Sequence, residues 1–186
     1  MQLHSFLSLL SMQIAVGAAF TIPTGTLMKR KPETNATLFA YGANSSAWPI
    51  AYGLNDGLLY ISQTPDNITT NIQLTPITWD LPSITGENWI VNGTFVNGTT
   101  AGSMFIKPED SNAVGVMNMT RIAYNNTSVT GFALFATQLV YNNNSQLEAQ
   151  FWAELTDVDG IYALVWNSDG DVTDGSFPVV VKGVEY

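Results

Sequence analysis

The sequence contains no cysteine, a single histidine (His4) and only six lysines and arginines among 186 residues. Each shortage closes a class of function. Without cysteine there is no disulfide framework, no thiolate nucleophile and no thiolate zinc site. Six basic against 15 acidic side chains give a formal charge of −9. Nothing here neutralises a run of phosphates, which argues against a nucleic-acid partner. Charge of either sign is scarce: 11% of residues, where a protein surface usually carries about 25–35%. What is present is apolar, at 46%, which is too much for a disordered chain. The length suits one domain that can bury a real core without disulfides.

Residues Gln2 to Phe20 carry no charge apart from a partly protonated His4. Leu7, Leu9, Leu10, Ile14, Ala15 and Val16 form an apolar run of signal-peptide length, and Gly17-Ala18-Ala19 supplies small residues for cleavage. The run barely reaches the ~20 residues needed to span a bilayer, so an anchor is disfavoured. The sequence therefore predicts a signal peptide over 1–19 and a secreted protein, extracellular or in the cell wall. Cleavage removes His4. The mature chain then has neither histidine nor cysteine, which eliminates Ser-His-Asp and Cys-His catalysis and the usual zinc and copper ligands. Residues 20–31 read as a short exposed segment in which Lys29-Arg30 is a dibasic pair of the kind cut by kexin-like proteases. Such a cut leaves four basic and 15 acidic groups, a charge of −11. The end from Phe177 to Tyr186 contains Lys182 and Glu185, so no glycolipid anchor and no membrane span after signal cleavage are expected.

Nine Asn-x-Ser/Thr triplets occur, at Asn35, Asn44, Asn67, Asn92, Asn97, Asn118, Asn125, Asn126 and Asn143. With 16 asparagines and 33 serines and threonines, chance gives about three. The excess predicts N-glycosylation, with at most one of the overlapping Asn125 and Asn126 occupied. Glycans require their stretches to face water, those around Asn92, Asn97 and Asn125 included. Sugar would then supply the solubility that charge does not.

From residue 32 to 186 the pattern is of period two, or of short apolar runs, between Gly, Asn, Asp and Pro punctuation. Leu38 to Tyr41, Ile50 to Tyr52, Leu58 to Ser62, Thr70 to Trp79, Trp89 to Val96, Ser103 to Lys107 and Val114 to Tyr124 read as strands. Asn92-Gly93 and Asn97-Gly98 are favoured hairpin-turn dipeptides. Four stronger runs follow: Val129 to Tyr141, Leu147 to Leu155, Ile161 to Asn167 and Phe177 to Lys182. Ala149, Phe151, Ala153 and Leu155 share one face with Gln150 and Glu154 on the other, which predicts a half-buried strand. Ile161 to Trp166 is apolar on both faces and reads as central. No amphipathic helix is visible. The expectation is a single all-β domain, an antiparallel β-sandwich or barrel of roughly nine to eleven strands.

Oxygen ligands and aromatic faces are the chemistry that remains. Asp169, Asp171 and Asp174, among glycines and an asparagine, resemble a calcium loop, although Asp-Gly is also ordinary turn chemistry. Asp157 and Asp159 form a lesser cluster before the central strand. A glycosidase pair needs carboxylates about 5–9.5 Å apart. The two acidic turns lie at opposite ends of a strand, and Glu148 and Glu154 are six residues apart on one, so neither pairing satisfies it. Trp48, Trp79, Trp89, Trp152 and Trp166 are the aromatic candidates. Trp152, beside Gln150 and Glu154, and Trp79, beside Asp80, fit a carbohydrate face; the other reading of each is a core tryptophan. No catalytic residue and no cofactor other than calcium is indicated.

Ala36-Thr37-Leu38-Phe39-Ala40-Tyr41-Gly42, Pro49-Ile50-Ala51-Tyr52 and Asp56-Gly57-Leu58-Leu59-Tyr60-Ile61 resemble the N-terminal part of small cysteine-free secreted glycoproteins of filamentous fungi. Gly131-Phe132, Phe151-Trp152-Ala153, Asp159-Gly160-Ile161-Tyr162-Ala163-Leu164-Val165-Trp166-Asn167 and Pro178-Val179-Val180 resemble their C-terminal part. The resemblance implies a fungal extracellular protein with a single β-domain. No activity or catalytic residue is attached to that group, so it assigns no site. The expectation is thus a non-catalytic binding or structural domain in contact with cell-wall or host glycans or surface proteins. The rivals are a carboxylate-dependent polysaccharide hydrolase and a calcium-dependent lectin.

Overall fold

The computed structural model describes residues 32–42, 46–66, 71–85, 89–107, 112–117, 129–172 and 174–184. The expected signal peptide, the dibasic pair and the sequons at Asn44, Asn67, Asn118, Asn125 and Asn126 lie outside the described residues. Among those described, every regular element is a strand: β1 (Glu33–Tyr41), β2 (Ala47–Gly53), β3 (Leu59–Ser62), β4 (Leu74–Thr75), β5 (Ile77–Leu81), β6 (Asn92–Phe95), β7 (Thr100–Lys107), β8 (Ala113–Met117), β9 (Phe132–Phe135), β10 (Gln138–Asn143), β11 (Gln146–Glu148), β12 (Phe151–Leu155), β13 (Ile161–Trp166), β14 (Phe177–Pro178) and β15 (Val180–Val184).

Fifteen strands exceed the nine to eleven expected because four apolar runs are each divided. Pro76, which has no N–H to give a ladder, separates β4 from β5. Ala136, at φ 57, turns the run from Val129 to Tyr141 back on itself as the β9–β10 hairpin. The run from Leu147 to Leu155 divides because β11 pairs with β10 and β12 with β13. Val179 divides the last run, since β14 pairs with β12 while β15 pairs with β1 and β10.

The ladders are all antiparallel and their path closes. Along β1, Phe39 to Tyr41 pair with β2 while Glu33 and Ala36 pair with β5. Opposite them, β13 reaches β3 through Ile161 to Ala163 and β8 through Val165. These two strands join β2–β3 to the β5–β6–β7–β8 meander at both ends. A Leu58–Gly115 bridge, with the Val116 N–H donating to the Gly57 carbonyl at 2.8 Å, links the two halves directly. The connectivity is that of a barrel rather than of two separate stacked sheets. Strand β13 has β12 on its other edge, so the central placement read from its apolar composition is correct.

Alternation fills the interior. Ala36, Leu38 and Ala40 of β1 are buried with Ile77, Trp79 and Leu81 of β5, Phe132, Phe151, Ala153 and Val181. Asn97-Gly98 makes the expected hairpin turn, with Gly98 at φ 82 and its N–H donating to the Phe95 carbonyl at 2.8 Å. Asn92-Gly93 does not. It lies within β6, and Gly93 faces inward, where a Cβ would fall 2.6 Å from Ile77 Cδ1. Asn35 and Asn97 are exposed, whereas Asn143 and Asn92 are half-buried. The Asn92 Oδ1 accepts a hydrogen bond from the buried Ser103 hydroxyl at 2.8 Å, so this stretch does not simply face water.

Asp56 organises the turn at Leu54 to Gly57. Its carboxylate accepts from the Leu58 N–H at 2.9 Å and from the Tyr60 hydroxyl at 2.5 Å. Burial first, then the Asp56 hydrogen bond and charge, push the Tyr60 phenol well above its ordinary 10.0. The folded protein therefore keeps a proton that the unfolded chain releases, and this contribution is whole below pH ~10 and lost as pH rises beyond it. Melting temperatures taken at pH 8 and at about pH 11 should show a larger alkaline loss for the wild type than for Tyr60→Phe.

Candidate functional site

One end of β13 carries a surface groove of about 240 Å³. Strand β12 supplies Trp152 and Glu154, the end of β13 supplies Val165 and Trp166, and the following loop supplies Asn167, Asp169 and Asp171, with Asn112 and Ser176 completing the rim. The period-two reading of β12 explains the strand's part. Phe151 and Ala153 are buried inward, while Gln150, Trp152 and Glu154 are half-buried on the opposite face. Leu155 departs from that reading: it is 55% exposed, covering Gly175 at the edge of the sheet.

The loop is organised by amides. The Asn167 side chain accepts from the Gly170 N–H at 2.9 Å and donates to the Asp171 carbonyl at 2.6 Å. The Asn167 N–H donates to the Gln150 carbonyl at 2.9 Å. With its nitrogen toward the loop, the Gln150 side chain donates to the carbonyls of Asn167 and Ser168 at 3.0 and 2.9 Å. The Asn167 side chain thus closes the loop on itself, while the Gln150 side chain and the Asn167 N–H tie it to the start of β12, next to Trp152, with Asp169 and Asp171 lining the groove.

The three carboxylates read as a calcium loop are not brought together. Among the described residues no three His, Cys, Asp or Glu side chains are grouped so as to hold a metal ion. Asp169 and Asp171 reach the groove without Asp174, which is exposed in the next turn. Asp157 and Asp159 are exposed at the far end of β13. Their turn is closed by the Thr156 hydroxyl, which donates to the Ile161 carbonyl at 2.7 Å. The two acidic turns do flank the central strand at its opposite ends, as read. Glu148 belongs to the β10–β11 hairpin, within 3.5 Å of the Asn143 amide, and is separate from Glu154.

The tryptophans divide between core and surface. Trp79, read as a carbohydrate-facing candidate, is 1% exposed and lies opposite Gly93 in the β5–β6 ladder; it presents no face to a ligand. Trp166 is buried and meets Phe151 edge-on, with ring centroids 5.0 Å apart. Trp48 packs obliquely on Tyr162 at 5.7 Å, and the backbone carbonyl of half-buried Trp89 accepts from Gly131 at 2.8 Å. Trp152 and Trp166 both line the groove with its acidic and amide residues, and of the two Trp152 is the more exposed. Sequence reading gave Gln150 only as a neighbour of Trp152 and missed the part played by Asn112, Asn167 and Ser176. Asn167, opening an Asn-Ser-Asp-Gly turn, was the legible signal among them.

No helix among the described residues is long and apolar enough to cross a membrane. Comparison with protein-family models, with curated proteins and with solved structures finds no match.

Proposed function

We propose that the protein is a secreted, N-glycosylated, non-catalytic β-domain that acts outside the cell by binding carbohydrate in the Trp152 groove. The observation that carries this reading is the joining of a partly exposed indole to Glu154 on the same strand and to Asn167, Asp169 and Asp171 on a loop held in place before any ligand arrives. A sugar ring has an apolar face that stacks on an aromatic plane and equatorial hydroxyls that donate to carboxylates and amide oxygens. Preorganisation matters here because a loop already ordered pays little further entropy on binding. The signal-peptide pattern and the excess of sequons support secretion, and the scarcity of charge fits a surface covered by glycans.

The test is to express the full chain in a eukaryotic host, recover it from the medium and screen it on a glycan array. Parallel polysaccharide hydrolysis assays separate binding from turnover. Trp152→Ala should weaken the interaction about 30-fold, the effect of removing one ~2 kcal/mol aromatic contact, without changing the circular dichroism spectrum. Retention of the chain in the cell would sink the secretory reading. A blank array, or release of reducing sugar, would sink non-catalytic carbohydrate binding.

A further inference from the structure

A second cavity, of about 300 Å³, opens between Trp48, Tyr162 and Phe177. Its floor is the main core itself: Ala40, Ile61 and Val179 are each at most 4% exposed. Its walls are rings set steeply to one another. Trp48 and Tyr162 are 5.7 Å apart at 46°, and Tyr162 and Phe177 are 5.3 Å apart at 74°. The space exists because the inward positions at the end of β1 are small. Ala40 and Gly42 follow Leu38 at the same two-residue spacing, and a Cβ on Gly42 would fall 2.9 Å from Phe177 Cε2.

We propose that this cavity binds a neutral, flat, apolar molecule of two or three fused rings. Size sets the scale, because drug-sized ligands occupy roughly 300–1,000 Å³ and this cavity lies at the lower bound. Charge sets the class. The described lining contains no carboxylate, lysine or arginine, so an ionised ligand would lose its hydration with no partner in return. Ring geometry sets the shape, since a planar ligand stacks on one wall while meeting the next by its edge. The Ser46 and Tyr162 hydroxyls and the Trp48 indole N–H are the polar side-chain groups of the lining, enough for a single hydroxyl or carbonyl on such a ligand. The cavity is independent of the carbohydrate groove. Trp152 pairs with Pro178 and Ala153 with Phe177, so Trp152 and Phe177 project to opposite faces of the sheet.

Titration calorimetry of the folded full chain with 2-naphthol tests the assignment. Saturable one-to-one binding is expected. Trp48→Ala should weaken it at least tenfold, Ala40→Leu should fill the space and abolish it, and Trp152→Ala should leave it unchanged. Because Ala40 is a core position, Trp48→Ala decides the matter if Ala40→Leu does not fold. Absence of saturable binding, or equal affinity in Trp48→Ala, overturns the proposal. So does a concentration-dependent dimer that Trp48→Ala disperses, which would give this face to a second copy of the chain.

Discussion

Phe151→Ala should destabilise the domain by about 3–5 kcal/mol and lower its melting temperature by about 6–20 °C. The side chain is 1% exposed, and its ring meets Trp166 edge-on at 5.0 Å and 82°. Its carbonyl also accepts the Val179 N–H at 2.9 Å, on the side of β12 where β14 pairs. Truncation leaves a hole lined by Trp166 and neighbouring core groups, which the antiparallel ladders on both edges of β12 keep from collapsing. Phe151→Leu, which retains most of the volume, should lose markedly less. Thermal melts of the three proteins decide it. A loss below ~1 kcal/mol for alanine would mean that β12 is not seated on the core as described. In the folded fraction the Trp152 groove should be left intact, since Trp152 is on the other face of β12.

Gly115→Val should cost about 2–3 kcal/mol, and the cause is barrel closure rather than backbone freedom. A Cβ at residue 115 would lie 2.7 Å from Phe105 Cζ and 2.8 Å from the Gly57 carbonyl oxygen. The ring can shift, but that oxygen is held by the Val116 N–H at 2.8 Å, in the link that joins β8 to the start of β3. Adding Phe105→Leu should therefore recover only part of the loss. Full recovery in chemical denaturation would show that the ring was the sole obstacle and that the closure tolerates a side chain there.

The readings that succeeded rest on local periodicity. Alternation placed Phe151 and Ala153 inward with Trp152 and Glu154 outward, and an apolar run on both faces marked Ile161 to Trp166 as central. Asn97-Gly98 was legible as a turn because its dihedral needs are met by its own residues. The same dipeptide at Asn92-Gly93 was misread, since its glycine answers to Ile77 and Trp79 across the ladder and not to a turn.

By itself the sequence determined the all-β class, the alternation of the strands, and the absence of cysteine and of all histidine but His4. Those are properties of composition and of neighbours within a few residues. Tertiary structure decided what the same residue types are for. Trp79 and Trp152 each lie within two residues of an acid, yet one is enclosed opposite a glycine and the other borders a groove with a loop from beyond β13. Asp169 and Asp171 share that groove with Glu154, while Asp174 lies outside its lining. The pairings that close the barrel, and the small residues that leave the cavity beside Trp48, join segments distant in the chain. Edge choice and cavity volume depend on which strands meet, and no local pattern carries that information.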